Sequence, residues 1–94
     1  MPRKAALAAG SKSRVQNANT EQTIRSSPGL LHRIVVTNAN AAAQTLTLTD
    51  GATAQGVYWV PTKTTLSLEF GVPFATSIKA TPSSVDLDAL FLYD

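Results

Sequence analysis

The sequence predicts an all-β fold: a small antiparallel β-sandwich or jelly-roll-like barrel preceded by an extended basic N-terminal arm. Three observations predict it. Short apolar runs alternate with turn chemistry, and none carries a convincing helical period. Two of these runs, Gln44–Thr49 and Thr64–Phe70, alternate apolar and polar residues with period two. The charge is also segregated: six of the eight basic residues lie in the first 33 positions against one acid, Glu21, a local charge of +5. The remainder sets Lys63 and Lys79 against Asp50, Glu69, Asp86, Asp88 and Asp94, a charge of −3.

Residues 1–19 are predicted to be the arm and residues 20–94 the β-sandwich domain. Arg3 to Asn19 has few large apolar groups and no strong period, and Ala5 to Ala9 is too short for a stable isolated helix. That alanine stretch is also too short for the apolar region of a signal peptide, and no other run approaches membrane-spanning length. Thr20 to Arg25 reads as a first short strand, closed by Ser26-Ser27-Pro28-Gly29. Leu30 to Asn38, rich in Leu, Ile and Val, is the next, with a loop beginning at Asn38-Ala39-Asn40-Ala41. In Gln44–Thr49, Leu46 and Leu48 share one face and the threonines the other, and Asp50-Gly51 is a common turn pair. Gly56 to Val60 follows and stops at Pro61. In Thr64–Phe70, Leu66, Leu68 and Phe70 point inward. Gly71-Val72-Pro73 is expected to break the chain before a run from Phe74 to Thr81, and Val85 to Tyr93 ends the domain.

Leu30–Val36, Val57–Val60 and Leu90–Tyr93 are apolar on both faces. A two-layer sandwich buries one face of each strand, so a second cover is expected: the arm, another copy or a foreign subunit. A domain of this size without cysteine is marginal alone, which also points to a homo-oligomer, with a trimer favoured.

The residues give little support to catalysis. His32 is the one histidine, and no motif sets a nucleophile and an orienting acid beside it, so a structural or surface role is expected. Asp86 and Asp88 are two apart and project from one face if they lie on a strand. They are expected to be solvated or paired with basic groups, since no third acid or calcium-type loop accompanies them. Phosphate loops, CxxC pairs and HExxH motifs are absent from the sequence. We therefore expect no enzyme, no catalytic residue, no cofactor and no metal. Partner binding is assigned instead to Arg3, Lys4, Lys12 and Arg14 of the arm, and to the adjacent Tyr58 and Trp59. On a strand those two rings face opposite ways, leaving one for the core and one for an interface or a sugar ring. The arm lacks aromatics for base stacking, so protein contact is favoured over nucleic acid. Deleting residues 1–19 is expected to leave the domain folded but weaken its attachment.

From Gly29 onward the chain resembles small β-rich structural proteins of tailed bacteriophages. The resemblance is carried by Gly29-Leu30-Leu31-His32-Arg33-Ile34-Val35-Val36-Thr37-Asn38, by the run Ala41 to Gly51, by Leu68-Glu69-Phe70-Gly71-Val72-Pro73-Phe74-Ala75-Thr76-Ser77-Ile78, and by the closing Phe91-Leu92-Tyr93-Asp94. It implies a virion protein, often a cement or decoration subunit on the capsid exterior, made in the host cytoplasm, with the major capsid protein as partner. A head–tail or tail structural protein is the nearest alternative. A host-surface carbohydrate-binding module and an internal DNA-contacting protein are more distant ones.

Overall fold

The computed structural model describes residues 11–94. Eight strands are found there: β1 (Ser11–Val15), β2 (Gln22–Arg25), β3 (Gly29–Asn38), β4 (Gln44–Asp50), β5 (Thr53–Val60), β6 (Thr64–Phe74), β7 (Ile78–Pro82) and β8 (Leu87–Tyr93). They form two four-stranded sheets, in the orders β1-β8-β3-β6 and β2-β7-β4-β5. All pairings are antiparallel. The expected β-sandwich is the architecture observed. Its pairing is nested: β1 joins β8, β2 joins β7, β3 joins β6 and β4 joins β5.

Period-two patterning builds the layers. Leu46 and Leu48 of β4 are fully buried between threonines that point outward. Leu87, Ala89, Phe91 and Tyr93 of β8 are buried on alternate positions. In β3 the buried residues are Leu31, Ile34, Val36 and Asn38, so the first step is three residues and the others two. The pairing shifts on both sides between Leu31 and Arg33, and the irregularity leaves His32 and Arg33 both exposed. It lets Leu31 and Ile34 enter the same core. Phe91, Leu31 and Ile34 from one sheet meet Leu46, Leu48 and Ile78 from the other. At one side of the sandwich Tyr58 of β5 packs edge-on against Phe70 of β6, ring centroids 5.4 Å apart, with Leu66 and Leu68 beside the core.

Two expectations need correction. Ser11–Val15 is not part of an arm: it is the edge strand β1, in register from Ser11 opposite Tyr93 to Val15 opposite Ala89. Val15 is buried, and the Ser13 hydroxyl is 2.9 Å from the Tyr93 hydroxyl. The domain thus begins before residue 20, and deleting residues 1–19 would strip β8 of a neighbour. Residues 1–10 lie outside the described residues. The second correction concerns Gly71-Val72-Pro73, which does not end a strand. β6 runs on to Phe74, with Pro73 opposite Leu30. Pro73 is tolerated because β6 is at the sheet edge, where a missing N–H need not break a ladder. β7 accordingly starts only at Ile78.

Polar clasps fix the connections. Asn38, fully buried at the end of β3, donates from Nδ2 to the carbonyls of Ala42 and Val60, both at 3.0 Å, and accepts the Asn40 N–H at 2.8 Å. It thereby ties β3 to β5 of the other sheet. Asp50 accepts the backbone N–H groups of Ala75 and Thr76 at 2.8 Å and of Ser77 at 3.3 Å. These bonds, Ala75 and Thr76 first, hold its carboxyl below the usual range. Gly51 turns the β4–β5 hairpin with φ of 61°. Gly29 answers a close approach instead: a Cβ there would lie 2.6 Å from the Asp94 carbonyl oxygen. That carbonyl accepts the Leu30 N–H, and the Asp94 N–H returns to the Leu30 carbonyl.

Candidate functional site

The described residues present two outer sheet faces, and among them no pocket is found. Strand register arranges each outer face into rows.

On the β1-β8-β3-β6 face, Lys12, Leu92, Arg33 and Glu69 form one row, and Arg14, Leu90, Val35 and Ser67 the next. Asp88, Thr37 and Thr65 form a third. Val35, Leu90 and Leu92 are half-buried, on central strands flanked on both sides, with Lys12, Arg14 and Arg33 beside them in the rows. The charges pair in place. Arg14 holds Asp88 with two bonds, Nε to Oδ1 at 2.9 Å and Nη2 to Oδ2 at 2.5 Å. Those bonds raise the pKa of Arg14 and lower that of Asp88. Arg33 is paired with Glu69. The chain itself therefore supplies much of the second cover expected for Leu30–Val36 and Leu90–Tyr93.

The β2-β7-β4-β5 face has another chemistry. Its rows are Trp59 and Thr45, then Val57, Thr47 and Thr81, then Ala54, Thr49, Lys79 and Thr23. On β5, Val57 is 54% exposed and Trp59 69%, the two most exposed large apolar residues described. Here the second side of an apolar run stays open.

The sequence-assigned partner residues do not converge. Arg3 and Lys4 lie outside the described residues. Lys12 and Arg14 point outward from β1, and Arg14 is occupied by Asp88. Tyr58 and Trp59 separate as alternation requires, but Tyr58 turns inward onto Phe70 and leaves only Trp59 open. β1 and β6 are opposite edges of one sheet, and β5 packs beside β6, so the basic group and the aromatic group are at different corners. Sequence reasoning did not single out Val57. Its signal was present: it stands two residues from Trp59, hence on the same face.

Residues weighed for chemistry are engaged in structural contacts. His32 Nε2 lies 2.7 Å from Asp94 Oδ2, and no hydroxyl hydrogen-bonds to the ring among the described residues. Asp86 accepts from Asn40 Nδ2 at 2.9 Å while Asp88 meets Arg14, so the two acids serve different partners.

No family model matches the chain, and no curated protein matches it. Among solved structures, it is similar to the crystal structure of a pentameric capsid protein isolated from metagenomic phage sequences, at 21% identity and a TM-score of 0.41. The match covers 93% of this chain and 60% of that one, so the chain spans about three-fifths of that protein's length. A likeness this distant carries no functional argument.

Proposed function

We propose that the protein is a noncatalytic structural subunit of a bacteriophage particle, a cement or decoration protein that binds the major capsid protein on the capsid exterior. The observation that carries this reading is the nested pairing of eight strands in two four-stranded sheets. That arrangement supports a jelly-roll assignment, and jelly rolls are a standard building block of viral shells. Two open sheet faces suit broad lateral contact, and attachment through several weak contacts per oligomer gains strength by multivalency. Arg3, Lys4 and Lys12 are the cations assigned to acidic groups of the capsid.

The test is addition of the full-length protein to capsids assembled from the major capsid protein of the same phage, followed by sedimentation and electron cryo-microscopy. Regular density on the outer shell is the expected result. Density confined to the head–tail junction or the tail would move the assignment to that structure, and failure to co-sediment would remove it.

A second reading is favoured by one observation, the open indole of Trp59 on a hydroxyl-rich face: a glycan-binding module. Glycan-array binding that disappears in Trp59→Ala would select it.

A further inference from the structure

Each sheet has two edges, and β1, β6, β2 and β5 occupy them. An edge strand offers unpaired backbone groups to any other strand, and proteins blunt such edges with charge, proline, bulges or brevity. Three of the four carry charge. β1 has five residues and carries Lys12 and Arg14. β2 has four, a register irregularity, and Arg25, with the Glu21–Lys79 ion pair at 3.7 Å nearby. β6 carries Glu69 and Pro73. β5 is different in charge: its eight residues, Thr-Ala-Gln-Gly-Val-Tyr-Trp-Val, contain no charge and no proline, and its irregularity is the extra residue Gln55 between the partners of Leu48 and Thr49. It is also the strand with Val57 and Trp59 exposed.

We propose that β5 is the edge on which a second copy of this chain docks, β5 against β5 in antiparallel register about a two-fold axis. The charge pattern selects this occupant. In a two-fold contact, residues near the axis meet their own kind, so a charged edge repels itself and a neutral one does not. The sequence around Val57 is also self-complementary. Pairing centred there sets Val57 opposite Val57 and Tyr58 opposite Gly56, with Trp59 facing the bulge at Gln55. Trp59 and Val57 then form one apolar band across the joint on the outer face. On the inner face the Tyr58 ring leans over Gly56 of its own strand, its hydroxyl 2.9 Å from where a Gly56 Cβ would be. The joint merges two four-stranded sheets into a continuous sheet of eight. It gives a two-fold pair where the sequence favoured a trimer, and it does not depend on the phage assignment.

Light scattering with size-exclusion chromatography over a concentration series tests it, using the full chain of 9.9 kDa. Twice that mass is expected, with the fluorescence of the single tryptophan shifting to the blue as dimer forms. Val57→Lys and Trp59→Lys place charges at the joint on side chains already open to solvent. Each should weaken the dimer roughly 30-fold or more, with circular dichroism unchanged. Thr65→Lys, on the outer face of β6, should leave it intact. Because the chain has no cysteine, Val57→Cys introduces one thiol, which should cross-link under mild oxidation in the folded protein and not in denaturant. A monomer at every concentration, a different stoichiometry, or a dimer indifferent to Val57→Lys and Trp59→Lys would overturn the proposal, whatever the outcome with capsids.

Discussion

The two outer faces of the sandwich are built from the same alternation but solve the exposure of their apolar residues differently. On β1-β8-β3-β6, Val35, Leu90 and Leu92 sit half-buried among Lys12, Arg14 and Arg33, whose guanidinium groups find Asp88 and Glu69. On β2-β7-β4-β5, the neighbours of Val57 and Trp59 are threonines, too short to cover them. The difference teaches that position in the sheet sets exposure: Val35, Leu90 and Leu92 lie on central strands flanked on both sides, Val57 and Trp59 on an edge flanked on one. Composition of one strand does not decide this.

The comparison breaks most severely if the charged face loses its edge. Deleting residues 1–15 removes β1, uncovers Ala89, Phe91 and Tyr93 along β8, and should abolish cooperative unfolding seen by circular dichroism. Deleting residues 1–10 retains all eight described strands, and should keep a cooperative transition.

Asn38 joins the two sheets, so Asn38→Ala tests whether they are independent layers. It leaves the Val60 carbonyl and its companions without partners, at about 1–3 kcal/mol for each buried group left unsatisfied. A fall of at least about 2 kcal/mol in urea unfolding is expected. Little change would mean that water replaces the side chain.

Acid titration sharpens the comparison further, because each sheet has one carboxyl with a lowered pKa, Asp88 on the charged outer face and Asp50 at the end of β4. The folded chain holds these protons less tightly than the unfolded chain. Their stabilising contribution is therefore complete above the unfolded value of about 4 and drains away as pH falls through the lower folded values. Asp50→Asn and Asp88→Asn should each flatten the acid limb of a stability–pH curve. Only the Asp88 contribution should shrink with added salt, since Asp50 is held by backbone N–H groups rather than by a cation.

At neutral pH the Arg14–Asp88 pair is solvent-exposed and its loss should matter less. A double-mutant cycle with Arg14→Ala and Asp88→Ala, read by denaturation midpoints in low and high salt, should give a small coupling that salt diminishes. The smallest effect on folding belongs to the open face. Trp59→Lys should leave the denaturation midpoint nearly unchanged at dimer-free concentrations, within about 0.5 kcal/mol, as is usual for surface changes.

The strands from Gly29 to Phe70 were legible because their pattern is local. Leu46 and Leu48 between threonines, or Leu66 and Leu68 between polar residues, declare a face by spacing alone. β1 was not legible. In Ser-Lys-Ser-Arg-Val the inward positions include Ser11 and Ser13, and only Val15 carries apolar weight. Such a segment becomes a strand because β8 offers an edge for it, and that edge lies some 74 to 82 residues away in sequence. Pro73 misled for a similar reason: whether proline ends a strand depends on whether the strand is central or terminal in its sheet.

By itself the sequence determined the all-β class, the inward faces of β4 and β6, the turn at Asp50-Gly51 and the segregation of charge. Those follow from side-chain period and from backbone preferences within a few residues. Only the tertiary structure decided that Ser11–Val15 completes a sheet, that Arg14 belongs to Asp88 and Asn38 to Val60. It alone set Tyr58 inward and Trp59 outward, and left β5 uncharged at an edge. Each of these depends on which strands become neighbours, and antiparallel pairing across most of the chain length is fixed by the packing of two layers around one core rather than by any local preference.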